Sequence, residues 1–166
     1  SSEHVNGSTV ILKNVEILFW SYKKMSKNPQ YEPKFAVTVK LSDKHVQLME
    51  AAKEAAIQWY CSDAGKEPDL DPNSVEFVDS LYEDKEGNMT YTFRSLDDFR
   101  ENTDLDGEPC DPELRIGRGS IANIAVRASC AKIFKTHNVT FYLNAANIKH
   151  LEEFKGGQTD LRAALR

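Results

Sequence analysis

Hydrophobic and polar positions alternate most regularly in the last third of the chain. From Gly119 to Ala131, Ala122, Ile124, Val126, Ala128 and Cys130 fall on one face, with Asn123, Arg127 and Ser129 on the other. A period of two with one apolar face predicts a half-buried strand. A second such strand runs over Val139–Ala145 after a basic turn, and Asn147 to Phe154 follows as an extended or helical tail. Near the start, Thr9 to Trp20 is rich in Val, Ile, Leu and Phe and reads as a long strand, bulged near Lys13-Asn14. Lys34 to Leu41 alternates as well, with Phe35, Val37, Val39 and Leu41 inward and Lys34, Ala36, Thr38 and Lys40 outward. Aromatic residues at strand positions are expected in the core, which places Phe19, Phe35, Phe77 and Phe141 there.

The period changes once. Ser42 is a good N-cap, and Asp43 to about Tyr60 carries Val46, Met49, Ala52, Ala56 and Trp59 at helical spacing. Beyond an acidic linker with Pro68 and Pro72, Ser74–Tyr82 and Met89–Ser95 are predicted to pair as a hairpin across Glu83–Asn88. A short helical turn is expected from Leu96 to Glu101. This order predicts a mainly β fold: an OB-like, five- to six-stranded antiparallel Greek-key barrel with one principal helix over 43–60. Residues 1–155 are expected to form a single domain, with 156–166 as a C-terminal extension.

Composition narrows the picture. A chain of 166 residues with 40% hydrophobic content can bury one ordinary core. It has no apolar run of membrane-spanning length and no secretory signal pattern, so a soluble, intracellular protein without a membrane partner is expected. Cys61, Cys110 and Cys130 are odd in number and far apart, which argues against a disulfide framework. The net charge of −5 hides a strong segregation. Residues 1–60 hold eight Lys/Arg against six Asp/Glu, residues 61–113 four against seventeen, and residues 114–166 nine against three. A polyanion responds to the local potential of a patch, screened over roughly 10 Å at 0.1 M salt, so the basic flanks matter more than the total.

Reaction chemistry finds little support. No Ser or Cys lies in a nucleophile elbow, and Gly117-Arg-Gly119 lacks the lysine and helix of a phosphate-binding loop. His4, His45, His137 and His150 are scattered without metal-ligand spacing. Asn102-Thr-Asp104-Leu-Asp106-Gly107 with Glu113 fits the spacing of an EF-hand loop. Against it stand Asn at the first position, Pro109, Pro112 before the last ligand, and no exiting helix. No enzyme, cofactor or metal is expected.

Three pieces in sequence order carry a family resemblance. They are Leu12-Lys-Asn-Val-Glu-Ile-Leu18 with Tyr31-Glu-Pro-Lys-Phe-Ala-Val-Thr-Val39, then Asp104-Leu-Asp-Gly-Glu-Pro109 with Ile116-Gly-Arg-Gly-Ser120, and finally Val139-Thr-Phe-Tyr-Leu-Asn-Ala-Ala-Asn147. The pattern resembles the single-stranded DNA-binding proteins of tailed bacteriophages, an OB-fold group that acts in replication and recombination. The resemblance implies a protein that coats single strands without sequence preference in the cytoplasm of a host bacterium. It also implies an acidic C-terminal tail that recruits replication proteins such as polymerase and helicase-primase, and it leaves room for a homodimer. This chain departs from the group by ending Leu161-Arg-Ala-Ala-Leu-Arg166, so that tail is expected to be removed or absent, just as the start at Ser1-Ser2 suggests trimming.

Single-strand binding needs cations along the backbone and flat side chains on which bases stack. The cationic candidates are Lys23, Lys24, Lys34, Lys40, Arg94, Arg118, Arg127, Lys132 and Lys135. The aromatic ones are Trp20 and Tyr22 beside Lys23-Lys24, Phe134 between Lys132 and Lys135, and Tyr91 and Phe93, whose hairpin could turn either face inward. A second class stays open: a structural or protein-binding β domain, such as a virion or assembly component. A basic groove with exposed aromatics marks the first class and an uncharged apolar patch the second.

Overall fold

The computed structural model describes residues 7–21, 35–95, 102–109 and 115–153. Among the described residues, five long strands form the sheet: β1 (Thr9–Ser21), β2 (Phe35–Leu41), β5 (Met89–Ser95), β7 (Ile121–Ile133) and β8 (Thr136–His150). Three two-residue strands, β3 (Phe77–Val78), β4 (Tyr82–Glu83) and β6 (Asn102–Thr103), complete one sheet ordered β3-β8-β7-β1-β2-β5-β4, with β6 also on β8. The helix α1 (Asp43–Tyr60) packs mainly on β7 and β1. Inward positions of β7 are small at Ala122, Ala128 and Cys130, which lets a helix approach closely. The fold is mainly β and OB-like, as its sequence predicts.

Two β-bulges in β1 decide which side chains face the core. Leu12 and Val15 are both fully buried although three residues apart, because the register with β7 shifts between them. Asn14 takes up the extra residue at φ 56°, a conformation Asn tolerates well, and its N–H donates to Asn123 Oδ1 at 3.0 Å. A second shift against β2 falls between Ile17 and Phe19. A one-residue shift moves every following side chain to the other face. Trp20 therefore sits opposite buried Val37, while Phe19 sits opposite Thr38 and is 52% exposed. The expectation that Phe19 lies in the core is corrected by this bulge.

Ser42 caps α1 as predicted, but the partner at N3 is His45. Ser42 Oγ accepts from His45 N–H, His45 Nδ1 accepts from Ser42 N–H, and His45 Nε2 donates to Lys13 O at 2.6 Å. One imidazole thus closes the capping box and ties the helix to the bulge in β1. His45, Met49, Ala52, Ala56, Ile57 and Tyr60 form the buried side of the helix, with Val46 and Trp59 half-buried at its margin.

The predicted long hairpin over 74–95 is shorter. Tyr82–Glu83 pairs with Met89–Thr90, whereas Phe77–Val78 leaves to run parallel to His137–Asn138 on β8. Phe77 is buried there between the rings of Tyr60 and His137, at centroid distances of 5.9 and 5.1 Å. Glu67 accepts from the Tyr60 hydroxyl and, at 2.7 Å, from His137 Nε2. Burial, then the bond to Glu67, pushes the Tyr60 hydroxyl up to about 12. The hydrogen bond from Tyr60, then that from His137, lowers the Glu67 carboxyl below its ordinary 4.5.

The sheet curls until β5 meets β8 across the core. Tyr91 packs edge-on against Phe141 at 5.3 Å, and its hydroxyl accepts the Phe141 N–H at 3.0 Å. That bond falls on β8 between the short pairings with β3 at 137–138 and β6 at 146–147. Tyr91 therefore serves the seam of the half-barrel.

Tyr91→Phe keeps the ring but leaves a buried N–H unpaired, so unfolding in urea should show a loss of about 1–3 kcal/mol. The lowered Glu67 carboxyl contributes stability that is complete above about pH 4.5 and disappears as pH falls through its folded-state value. Urea midpoints followed from pH 7 to pH 3 should drop less steeply on the acid side in Glu67→Gln than in the parent chain.

Candidate nucleic-acid interface

β7 and β8 join through a two-residue turn at Phe134-Lys135, since Ile133 pairs with Thr136. From that register Arg127 lies opposite Tyr142, Ala125 opposite Ala145 and Asn123 opposite Asn147. All six project from the face opposite the core, whose inward neighbours Ile124, Val126, Leu143 and Ala146 are buried. The Arg127 guanidinium stands over the Tyr142 ring, 4.9 Å from its centroid, and the ring is 39% exposed. A cation held on an aromatic face is oriented before any ligand arrives, and the planar guanidinium is itself a surface for a base. Not one of the chain's 26 carboxylate residues lies in β7 or β8. The two strands themselves therefore add no repulsion toward a polyanion.

The turn presents its side chains outward. Phe134 is 95% exposed at φ 57°, and Ile133 beside it is 57% exposed. Lys132 and Lys135 flank them, both exposed. A bulky residue at positive φ is a true conformational outlier, costing on the order of 1–2 kcal/mol. Its backbone is held there by the long pairing behind it.

The remaining predicted residues divide between other places. Tyr91 and Phe93 are corrected: they are 5% and 1% exposed, stack on each other at 4.9 Å inside the core, and offer no surface to a base. Trp20 is half-buried on the inward side of the second bulge. Arg94 is exposed on β5 opposite Ala36, and Lys40 lies half-buried between Glu16 and Thr90. Arg118 is exposed in a turn whose role is structural: Gly119 sits at φ 96°, and buried Ser120 Oγ donates to Glu152 O and accepts from Glu152 N–H. Tyr22, Lys23, Lys24 and Lys34 lie outside the described residues, as do the turn expected over 96–101 and Glu113. Arg127, Lys132, Phe134 and Lys135 are thus brought onto one hairpin. Arg94 lies level with the far end of β1, across Ala36 from Ser21 and about 40 Å along the strand from the Arg127 end. Lys40 and Arg118 lie nearer its middle, beside Glu16 and Ile17.

Two residues were missed in the sequence. Tyr142 is the outward member of the Val139–Leu143 alternation, and reading the turn as two residues would have placed it against Arg127. Phe19 is turned outward beside Thr38 and Thr92, whose hydroxyls bond at 2.9 Å, and only the bulge reveals it.

The described part of the loop with calcium-like spacing is folded by its own side chains. Asp104 Oδ1 accepts the N–H groups of Asp106 and Glu108, and Thr103 Oγ1 donates to Ala146 O. Among the described residues no three His, Cys, Asp or Glu side chains are grouped to hold a metal, and no helix is long and apolar enough to cross a membrane.

No protein-family model matches the chain, and no curated protein sequence does. Solved structures match in fold. The single-stranded DNA-binding protein of bacteriophage Enc34, in complex with single-stranded DNA, superimposes with a TM-score of 0.63 at 13% identity over 90% of both chains. Protein gp2.5, a single-stranded DNA-binding protein encoded by bacteriophage T7, gives 0.61 at 16% identity over 95% of this chain and 96% of that one. The fold is that of phage single-stranded DNA-binding proteins. A C-terminally truncated form of the Enc34 protein matches similarly, with a TM-score of 0.62 and 11% identity over 89% of each chain.

Phe134→Gly should relieve the backbone at the turn. Thermal and urea unfolding are expected to show a variant about 1 kcal/mol more stable than the parent chain, since glycine adopts φ 57° freely.

Proposed function

We propose that this protein binds single-stranded DNA without strong sequence preference and coats it during phage DNA replication, recombination or repair. The observation that carries this reading is the carboxylate-free outer face of β7–β8, with Arg127 laid on Tyr142 and Phe134 held out between Lys132 and Lys135. Arg127 and Lys135 meet phosphates, while Tyr142 and Phe134 supply the flat surfaces. Lys132, opposite His137, lies on the Glu67 side of the hairpin. The reading also draws on the shared fold, because the Enc34 neighbour was solved on single-stranded DNA. Arg94 and Phe19 would extend the path at the other end of β1.

Trp20 and Trp59 provide a signal for titration with unlabelled oligodeoxythymidine, with gel shift as an independent readout. Saturable binding should weaken steeply with salt, with a log–log slope near −0.7 per phosphate neutralised. Arg127→Ala should flatten that slope by about one such increment, and Tyr142→Ala should cost ~1–3 kcal/mol, the worth of a stacked base. Absence of binding at low salt by both methods would sink the proposal and favour a protein-binding β domain.

A further inference from the structure

Toward the Ile121 end from Arg127 the outer face sinks into a depression of about 350 Å³. Its floor is the small cross-strand pair Ala125 and Ala145, its polar side is Asn123 and Asn147, and Ile11 and Thr103 border it. Gly107, in the turn folded by Asp104, forms the rim, and a side chain there would meet nothing within 4 Å. The depression continues the Arg127–Tyr142 surface, since Ala125 is the next outward position after Arg127.

Its hydrogen-bonding groups form a definite set. Asn123 Oδ1 already accepts the Asn14 N–H from β1, so the groups this side chain has left wholly unengaged are its NH₂ donors. Asn147 Oδ1 is buried with no hydrogen-bond partner. An amide oxygen in that state is costly, and the soft χ2 torsion of asparagine can bring it to the surface of the depression beside its own NH₂. Together the pair then offers one acceptor and two donors. The Watson–Crick edge of thymine presents the complement, an N3–H between two carbonyl oxygens. Adenine, cytosine and guanine edges do not carry one donor between two acceptors.

We propose that the depression is a subsite that holds one thymine of the bound strand by its edge, with Asn147 accepting from N3–H and Asn123 and Asn147 donating to the carbonyls. The subsite rests on the single-strand reading above and adds to it a preference at one position, while stacking elsewhere stays tolerant of sequence.

Preference for oligodeoxythymidine over other homopolymers is no test, since flexible, weakly stacked strands bind such proteins well in any case. The test is an oligodeoxythymidine in which a single N3-methylthymidine is walked along the strand, which removes the donor and keeps the ring. The full chain should lose about fivefold or more in affinity at one position and little at the rest. Asn147→Ala and Asn123→Ala should each bind every member of the series alike. Ala145→Leu, which fills the depression and leaves both amides in place, should do the same, and it decides the matter if an asparagine variant does not fold. Uniform affinity across the series in the parent chain, or undiminished sensitivity in Ala145→Leu, overturns the subsite while single-strand binding stands. If plain oligodeoxythymidine fails to bind at low salt, both readings fall together.

Discussion

The register between β7 and β8 is the constraint on which the rest depends. It is the longest pairing in the sheet, running from Ile121 opposite His150 to Ile133 opposite Thr136. It sets Arg127 over Tyr142 and Asn123 beside Asn147, and it keeps the apolar set of both strands on the core side. A slip of one residue would exchange the two faces, burying Arg127 and exposing Ile124 and Phe141. The penalty against that slip is far larger than the strain at Phe134, so the turn tolerates a bulky residue at positive φ. The same register keeps an aromatic ring at the tip of the hairpin, away from the core.

β1 faces a different demand, because it must pair with β7 on one side and β2 on the other. Its two bulges answer this by resetting the phase of its side chains. The first is held by Asn123 from β7 and by His45 from α1, so the helix cap and the strand irregularity are one structure. The second turns Phe19 outward and Trp20 inward. Bulges increase local twist, and a strand with two of them helps the sheet curl until Tyr91 on β5 can bond to β8.

Charge is organised by the same architecture. Carboxylates crowd the connections between α1 and β7, while the hairpin beyond carries none. Where the two regions touch, Glu67 meets His137 and Tyr60 and becomes part of the packing beneath the hairpin. The acidic block thus flanks the outer face of β7–β8, and its turn at Asp104–Glu108 reaches the rim of the depression beside Asn123 and Asn147. That division separates the basic hairpin from most of the chain's carboxylates.

Much of this was legible in the residues. The bounds of α1 followed from Ser42 and an apolar period of 3.6, the inward face of β7 from strict alternation, and the basic flanks from simple counting. Those features are local, so local sequence determines them. Alternation, however, gives a period and not a partner. Only the folded sheet decided that Phe77 would leave its predicted hairpin for β8, that Tyr91 and Phe93 would turn inward, and that Tyr142 would meet Arg127. Phe19 shows the reason most clearly: one extra residue in β1, visible only against β2, reverses every side chain after it. Secondary structure was therefore largely written in the sequence, whereas which side chains share the outer face was decided by long-range register, which no short stretch of chain contains.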